Sequence, residues 1–115
     1  MGYRSNVQYV IQFHKPEDYW GFIAESQLDP DTALCFCEEW TQDCFIQNDD
    51  KLCVEFQAED VKWYESFEDV FCHTILWNMA ECRGICDGFF VRYGESEDDT
   101  EQKSFGNQSN ISGEF

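Results

Sequence analysis

Leu52, Val54, Phe56 and Ala58 alternate with Cys53, Glu55, Gln57 and Glu59, and this period of two admits little except a strand with one buried face. Val7, Tyr9, Ile11 and Phe13 repeat the pattern, with Gln8, Gln12 and His14 between them and Val10 as the exception. Each run has to bury its apolar side under another layer of secondary structure. The stretches between the runs predict what that layer is.

Lys15-Pro16-Glu17-Asp18 reads as a helix start, because proline suits the first helical position and acids in the first turn complement the dipole. Tyr19, Phe22 and Ile23 form its apolar stripe to about Gln27, although Gly21 costs up to about 1 kcal/mol against alanine. Asp29-Pro30-Asp31 then breaks the chain, and Ala33, Leu34, Cys37, Trp40 and Thr41 recur at the spacing of a short second helix. Cys44 to Gln47 suggests a strand and Asn48 to Lys51 a polar hairpin turn. Ser66-Phe67-Glu68-Asp69 has the form of a capping box. It precedes a long helix with Phe67, Val70, Phe71, Ile75 and Met79 as its stripe and Gly84 as its stop. Phe89, Val91 and Tyr93, alternating with Phe90 and Arg92, make the last strand.

With the short helix set aside, the order is βαββαβ, so the expected fold is α+β, a ferredoxin-like sandwich with helices on one face of an antiparallel sheet. The covered face takes Val7, Tyr9, Ile11, Phe13, Leu52, Val54, Phe56, Phe89 and Val91. The open face shows Gln8, Gln12, Cys53, Glu55, Gln57, Phe90 and Arg92, with Arg92 pairing to Glu55. Residues 1–94 are expected to form one domain, and residues 95–115 an acidic tail that is either pinned down by Phe105, Ile111 and Phe115 or mobile.

Charge narrows the function. The chain carries 24 Asp and Glu against 7 Lys and Arg, a formal net charge of -17. Low hydrophobicity with such charge usually means disorder, but 43% of the residues are apolar and 17% aromatic, enough for a core. Residues 1–94 hold 18 of the acids and 6 of the bases, so the body is acidic as well as the tail. Such a surface repels nucleic acid and anionic membranes and attracts cationic proteins. Neither direct nucleic-acid binding nor a membrane partner is therefore expected.

Seven cysteines are an odd number, and Met1 to Asn6 holds no apolar leader run, so reduced thiols in a cytosol are expected. Cys82 and Cys86 flank Gly84 at a spacing compatible with a zinc knuckle. Cysteine as a small buried hydrophobe is the commoner use, and neither a metal nor a cofactor is assigned. His14 and His73 stand in no catalytic motif, and adjacent helical residues such as Cys72 and His73 diverge. The chain is read as non-enzymatic.

Three segments carry a resemblance. Gly2-Tyr3-Arg4-Ser5 ahead of an alternating strand, Val61-Lys62-Trp63-Tyr64-Glu65-Ser66-Phe67-Glu68-Asp69-Val70 after Phe56, and Phe90-Val91-Arg92-Tyr93-Gly94-Glu95 before Asp98-Asp99 are similar to segments of small acidic proteins encoded by tailed bacteriophages. The resemblance implies a phage or prophage origin and places the chain in the host bacterial cytoplasm. By analogy of class it implies an inhibitor of host defence of the anti-CRISPR or anti-restriction kind.

The carboxylates supply the means. Glu55 and Glu59 share a strand face, Glu17 and Asp18 open the first helix, and Glu65, Glu68 and Asp69 lead into the long one. Carboxylates one helical turn apart, or two apart on a strand, approach the spacing of phosphates along DNA, so a duplex-like surface is geometrically open to this chain. Trp63 and Tyr64 add aromatics of the kind that anchor interfaces. The expected partner is a basic host protein or a nucleic-acid-binding defence complex, and the spare aromatics also allow a homodimer. Two alternatives stand beside this reading: a zinc- or thiol-dependent protein using its cysteines, and an acidic phage structural or assembly component.

Overall fold

The computed structural model describes residues 4–37, 44–64, 66–96 and 98–106. Its elements are β1 (Ser5–Phe13), α1 (Pro16–Leu28), α2 (Leu34–Cys37), β2 (Phe45–Asn48), β3 (Cys53–Val61), α3 (Glu68–Arg83), β4 (Cys86–Tyr93) and β5 (Thr100–Phe105). The strands form one five-stranded sheet in the order β2-β3-β1-β4-β5, and every neighbouring pair is antiparallel. The fold is thus a mixed one, an antiparallel sheet with three helices among the described residues. None of these helices is long and apolar enough to cross a membrane.

The two alternating runs behave as their periodicity requires. Val7, Tyr9, Ile11 and Phe13 join Val54, Phe56 and Ala58 in one buried cluster with Tyr19, Phe22 and Ile23 of α1 and Leu76, Trp77 and Ala80 of α3. Tyr9 is paired across β1 with Phe56 on one side and Phe90 on the other, and its ring stacks on both at 5.3 and 6.3 Å. α1 has Pro16 in its first turn with Glu17 and Asp18 behind it, as the sequence indicates. Gly84 ends α3 at φ 67°, the left-handed conformation that favours glycine.

Three expectations about faces and caps are corrected. Phe90, not Phe89 and Val91, faces the helices, because it pairs with Tyr9, whereas Phe89 and Val91 lie opposite Val10 and Gln8. Phe89-Phe90-Val91 is apolar throughout, so no period marks its face, and pairing with β1 decides it. The stripe of α3 is rotated. Val70, Cys72, His73, Leu76, Trp77 and Ala80 are buried, while Phe67 and Phe71 are each 46% exposed. α3 also begins without a capping box: Phe67 is its N-cap residue, and no side chain caps it.

Phe105 pins the first part of the tail, one of the two outcomes open for that segment. Thr100–Phe105 pairs along β4 from Tyr93 to Gly88 as an edge strand. Arg92 anchors it, reaching Asp99 at 2.8 Å and Glu101 at 3.2 Å instead of Glu55. Phe105 lays its ring over Gly88, where any Cβ would collide with it, and meets Trp77 edge-on at 4.8 Å. Ile111 and Phe115, and with them the rest of the supposed tail beyond residue 106, lie outside the described residues.

The second face of the sheet is less wet than expected. Val10, Gln12, Cys53, Asp87 and Val91 are all buried. Gln12 is accommodated by its amide, which donates to the carbonyls of Phe13 at 2.8 Å and Lys51 at 2.5 Å. His14 Nε2 lies 2.6 Å from the buried Asp87 carboxylate.

Candidate functional site

Antiparallel pairing divides the expected carboxylates between two ends of the sheet. β1 leads directly into α1, so Glu17 and Asp18 lie at the end where β3 begins. The β2–β3 turn is tied to that end by the Tyr19 hydroxyl, which donates to Asp49 Oδ1 at 2.7 Å. Burial, then the hydrogen bond to Asp49 and its charge, push the Tyr19 phenol well above its ordinary pKa. Glu17 is exposed and Asp18 half-buried.

At the opposite end β3 finishes and the chain turns into α3. Glu59 and Glu68 are exposed there and Tyr64 is half-buried. The Tyr64 ring meets Phe67 at 5.5 Å, and Phe71 follows Phe67 by one helical turn, its N–H donating to the Phe67 carbonyl at 2.8 Å. The result is an apolar surface of Phe67 and Phe71 beside Glu68. Trp63 faces inward: its ring packs 5.7 Å from both Phe56 and His73. Glu55 is half-buried and accepts from the Cys53 thiol at 3.8 Å. Glu65 and the side chain of Asp69 lie outside the described residues, as does Trp40.

A shallow cleft of about 210 Å³ opens on the outer face beside Glu59, lined by Asn6, Gln8, Gln57 and Tyr93. Several bases are occupied within the fold. Arg4 reaches Asp60 at 3.9 Å, Arg83 pairs with Glu25, Arg92 with Asp99 and Glu101, and Lys103 with Glu101 at 3.8 Å. The exposed Glu17, Glu59 and Glu68 appear in none of these pairs.

The core holds a second grouping, of a different chemistry. Tyr9 Oη and His73 Nδ1 are 2.6 Å apart, both buried. Cys35 and Cys72 join them: the ligand atoms of Cys35, Cys72 and His73 all lie within 4.8 Å of one another. His73 Nε2 is buried without a hydrogen-bond partner. Burial holds the imidazole neutral by pushing its pKa down to about 3. Burial, then the two cysteines, push the Tyr9 phenol well above its ordinary value.

Local structure explains how these groups meet. Cys72 and His73 diverge as neighbours on a helix must, yet both fall within the broad buried arc that runs through Leu76, Trp77 and Ala80. Cys35 arrives from α2, which is strapped to the end of α1. The Thr32 hydroxyl donates to the Ser26 carbonyl at 2.6 Å, and the Ser26 hydroxyl to the Phe22 carbonyl at 2.7 Å. Cys35 also borders a cleft of about 440 Å³ whose other described walls are Gln27, Phe36, Phe45 and Gln47.

Cys82 and Cys86, the pair with knuckle spacing, are placed differently. Cys82 is exposed on α3, and Cys86 is buried on β4. The Cys86 thiol lies 3.3 Å from the Ala80 carbonyl, and burial pushes its pKa up to about 12. The metal-competent grouping among the described residues omits both. Nothing in the sequence marks it, since Cys35 and Cys72 are far apart in the chain and share no motif. The class defined so far is an acidic antiparallel α+β protein with a buried thiol–imidazole cluster. No family model, curated protein or solved structure matches the chain.

Proposed function

We propose that this chain is a phage-derived acidic inhibitor, acting in the host bacterial cytoplasm, which covers a basic, nucleic-acid-handling surface of a host defence protein. The scaffold is read as a ferredoxin-like sandwich extended by β5. In support, β3 lies between β1 and β2 while β1 lies between β3 and β4, the interleaving of two split βαβ units.

One observation carries the functional reading: exposed Phe67 and Phe71 lie one turn apart on α3, beside the exposed carboxylate of Glu68. Interfaces of this kind take most of their energy from a few buried aromatics, while the surrounding charges steer encounter and exclude wrong partners. Glu59, at the same end of the sheet, extends the acidic rim. Glu17 and Asp18, at the other end, take part in steering only. No residue of this surface is assigned a catalytic role.

The test is capture from a bacterial lysate by the wild-type protein, followed by affinity measurement against the recovered protein. A nucleic-acid-binding protein is expected, with association slowing as salt rises. Phe71→Ala should weaken the complex by about tenfold or more, and Glu68→Lys should slow association. Glu17→Lys with Asp18→Lys should leave dissociation unchanged. Recovery of chaperones alone, or affinity indifferent to Phe71→Ala and Glu68→Lys, overturns the reading.

A further inference from the structure

We propose that Cys35, Cys72 and His73 form a binding site for a single zinc ion, with Tyr9 holding the imidazole in place. This site uses none of the residues of the docking surface and does not depend on that reading.

Four observations converge. First, the three side chains supply two soft sulfurs and a nitrogen, donors that zinc takes from proteins, one short of a complete tetrahedron. They come from two elements, α2 and α3, so one ion would bridge helices separated in the chain. Second, the spacing fits. Tetrahedral zinc with bonds of about 2.0–2.3 Å has ligand-to-ligand distances of about 3.5–3.8 Å, and these ligand atoms already lie within 4.8 Å of one another. Rotamer adjustment of about 1 Å completes the closure.

Third, His73 is 2% exposed and its Nε2 has no hydrogen-bond partner, a state that is costly in a core built only for packing. Nδ1 is meanwhile held 2.6 Å from the Tyr9 hydroxyl. A metal-bound histidine characteristically presents one nitrogen to the ion while its other N–H donates to an oxygen that orients the ring. An ion on Nε2 would leave Nδ1–H to donate to Tyr9, so that both nitrogens would be satisfied. Fourth, the cleft beside Cys35, bordered by Gln27, Phe36, Phe45 and Gln47, gives the ion a way in.

Binding requires both thiols to ionise, so two protons leave as the ion enters, and the neutral imidazole loses none. The fourth tetrahedral position would fall to a donor from outside this trio. Closing a loop between α2 and α3 makes the role structural: the metal pins the short α2 helix, which has only four residues, against the core.

Anaerobic titration of the reduced full-length protein with Co²⁺ tests the site. One Co²⁺ per chain is expected, with intense thiolate-to-cobalt absorption and the d–d bands of a tetrahedral ion, both abolished by Zn²⁺. Cys82→Ser should keep these bands, and Cys35→Ser and Cys72→Ser should each lose them. Because a core variant can fail to fold, the wild-type protein is also alkylated with and without Zn²⁺. Zinc at tenfold over its dissociation constant should slow labelling of Cys35 and Cys72 by about an order of magnitude while Cys82 reacts unchanged. No tetrahedral Co²⁺ signal, bands lost in Cys82→Ser, or equal labelling of Cys35 and Cys72 with and without Zn²⁺ overturns the proposal.

Discussion

The Tyr9 hydroxyl and His73 Nδ1 stand 2.6 Å apart at the centre of the core, joining the middle strand of the sheet to the long helix across 64 residues of sequence. Tyr9 also stacks on Phe56 and Phe90, its partners on the flanking strands. His73 lies 4.3 Å from the Phe56 ring. Sheet and helix are therefore registered against each other by one polar contact set inside an aromatic cluster.

Removing one member of that contact strands the other. Tyr9→Phe deletes a single oxygen and opens almost no cavity, so its cost reports the hydrogen bond. We expect a loss of about 1–3 kcal/mol in urea unfolding. The double variant Tyr9→Phe/His73→Leu should be less destabilised than the sum of the singles, since paired removal leaves no orphan. Additive losses would show that the two groups are not coupled.

The edge strand depends on Gly88. Its missing side chain makes room for the Phe105 ring, so Gly88→Ala must displace that ring or shift β4. Loss of about 1–3 kcal/mol is expected from this overpacking. Amide hydrogen exchange should quicken first over Thr100–Phe105, and Phe105→Ala in the same chain should restore part of the loss. Uniform protection in Gly88→Ala would detach Phe105 from this role.

Alkaline pH should unfold the protein early. Burial pushes Cys53 to about 11 and Cys86 to about 12, against about 8.5 for an unfolded thiol. Above that value the unfolded chain releases protons that the native state retains, so stability falls as pH rises toward 11. Each such group removes up to about 1.4 kcal/mol per pH unit in that window. Tyr19, also raised, adds to the loss above its ordinary value of about 10. Cys53→Ala should flatten the slope measured by chemical denaturation between pH 9 and 11, and an unchanged slope would assign the loss to other groups.

Salt should stabilise the fold. A net charge of -17 repels itself through solvent, and the Debye length shrinks from about 30 Å at 0.01 M to about 8 Å at 0.15 M. The melting temperature is expected to rise over that range in sodium chloride. A fall would mean that internal pairs such as Arg92 with Asp99 and Glu101 outweigh the repulsion.

The strands β1 and β3, the proline start of α1 and the Gly84 stop of α3 were legible because each is a local matter. Alternation with polar partners declares which side of a strand is buried, and a left-handed turn declares its glycine. The sequence alone also determined the acidity of the whole body, since charge needs no coordinates. Tertiary structure decided everything that depended on a neighbour. Phe90 turns inward because β4 pairs with β1 in one register, and Phe67 and Phe71 stay outside because α3 offers the core a wider arc through Cys72, His73, Leu76 and Trp77. Thr100–Phe105 has no apolar face to betray a strand, and it becomes one by pairing with β4 beside Arg92. The meeting of Cys35 with Cys72 and His73 belongs to the same class. Contacts between distant residues are set by packing of whole elements, and no local period in the chain encodes them.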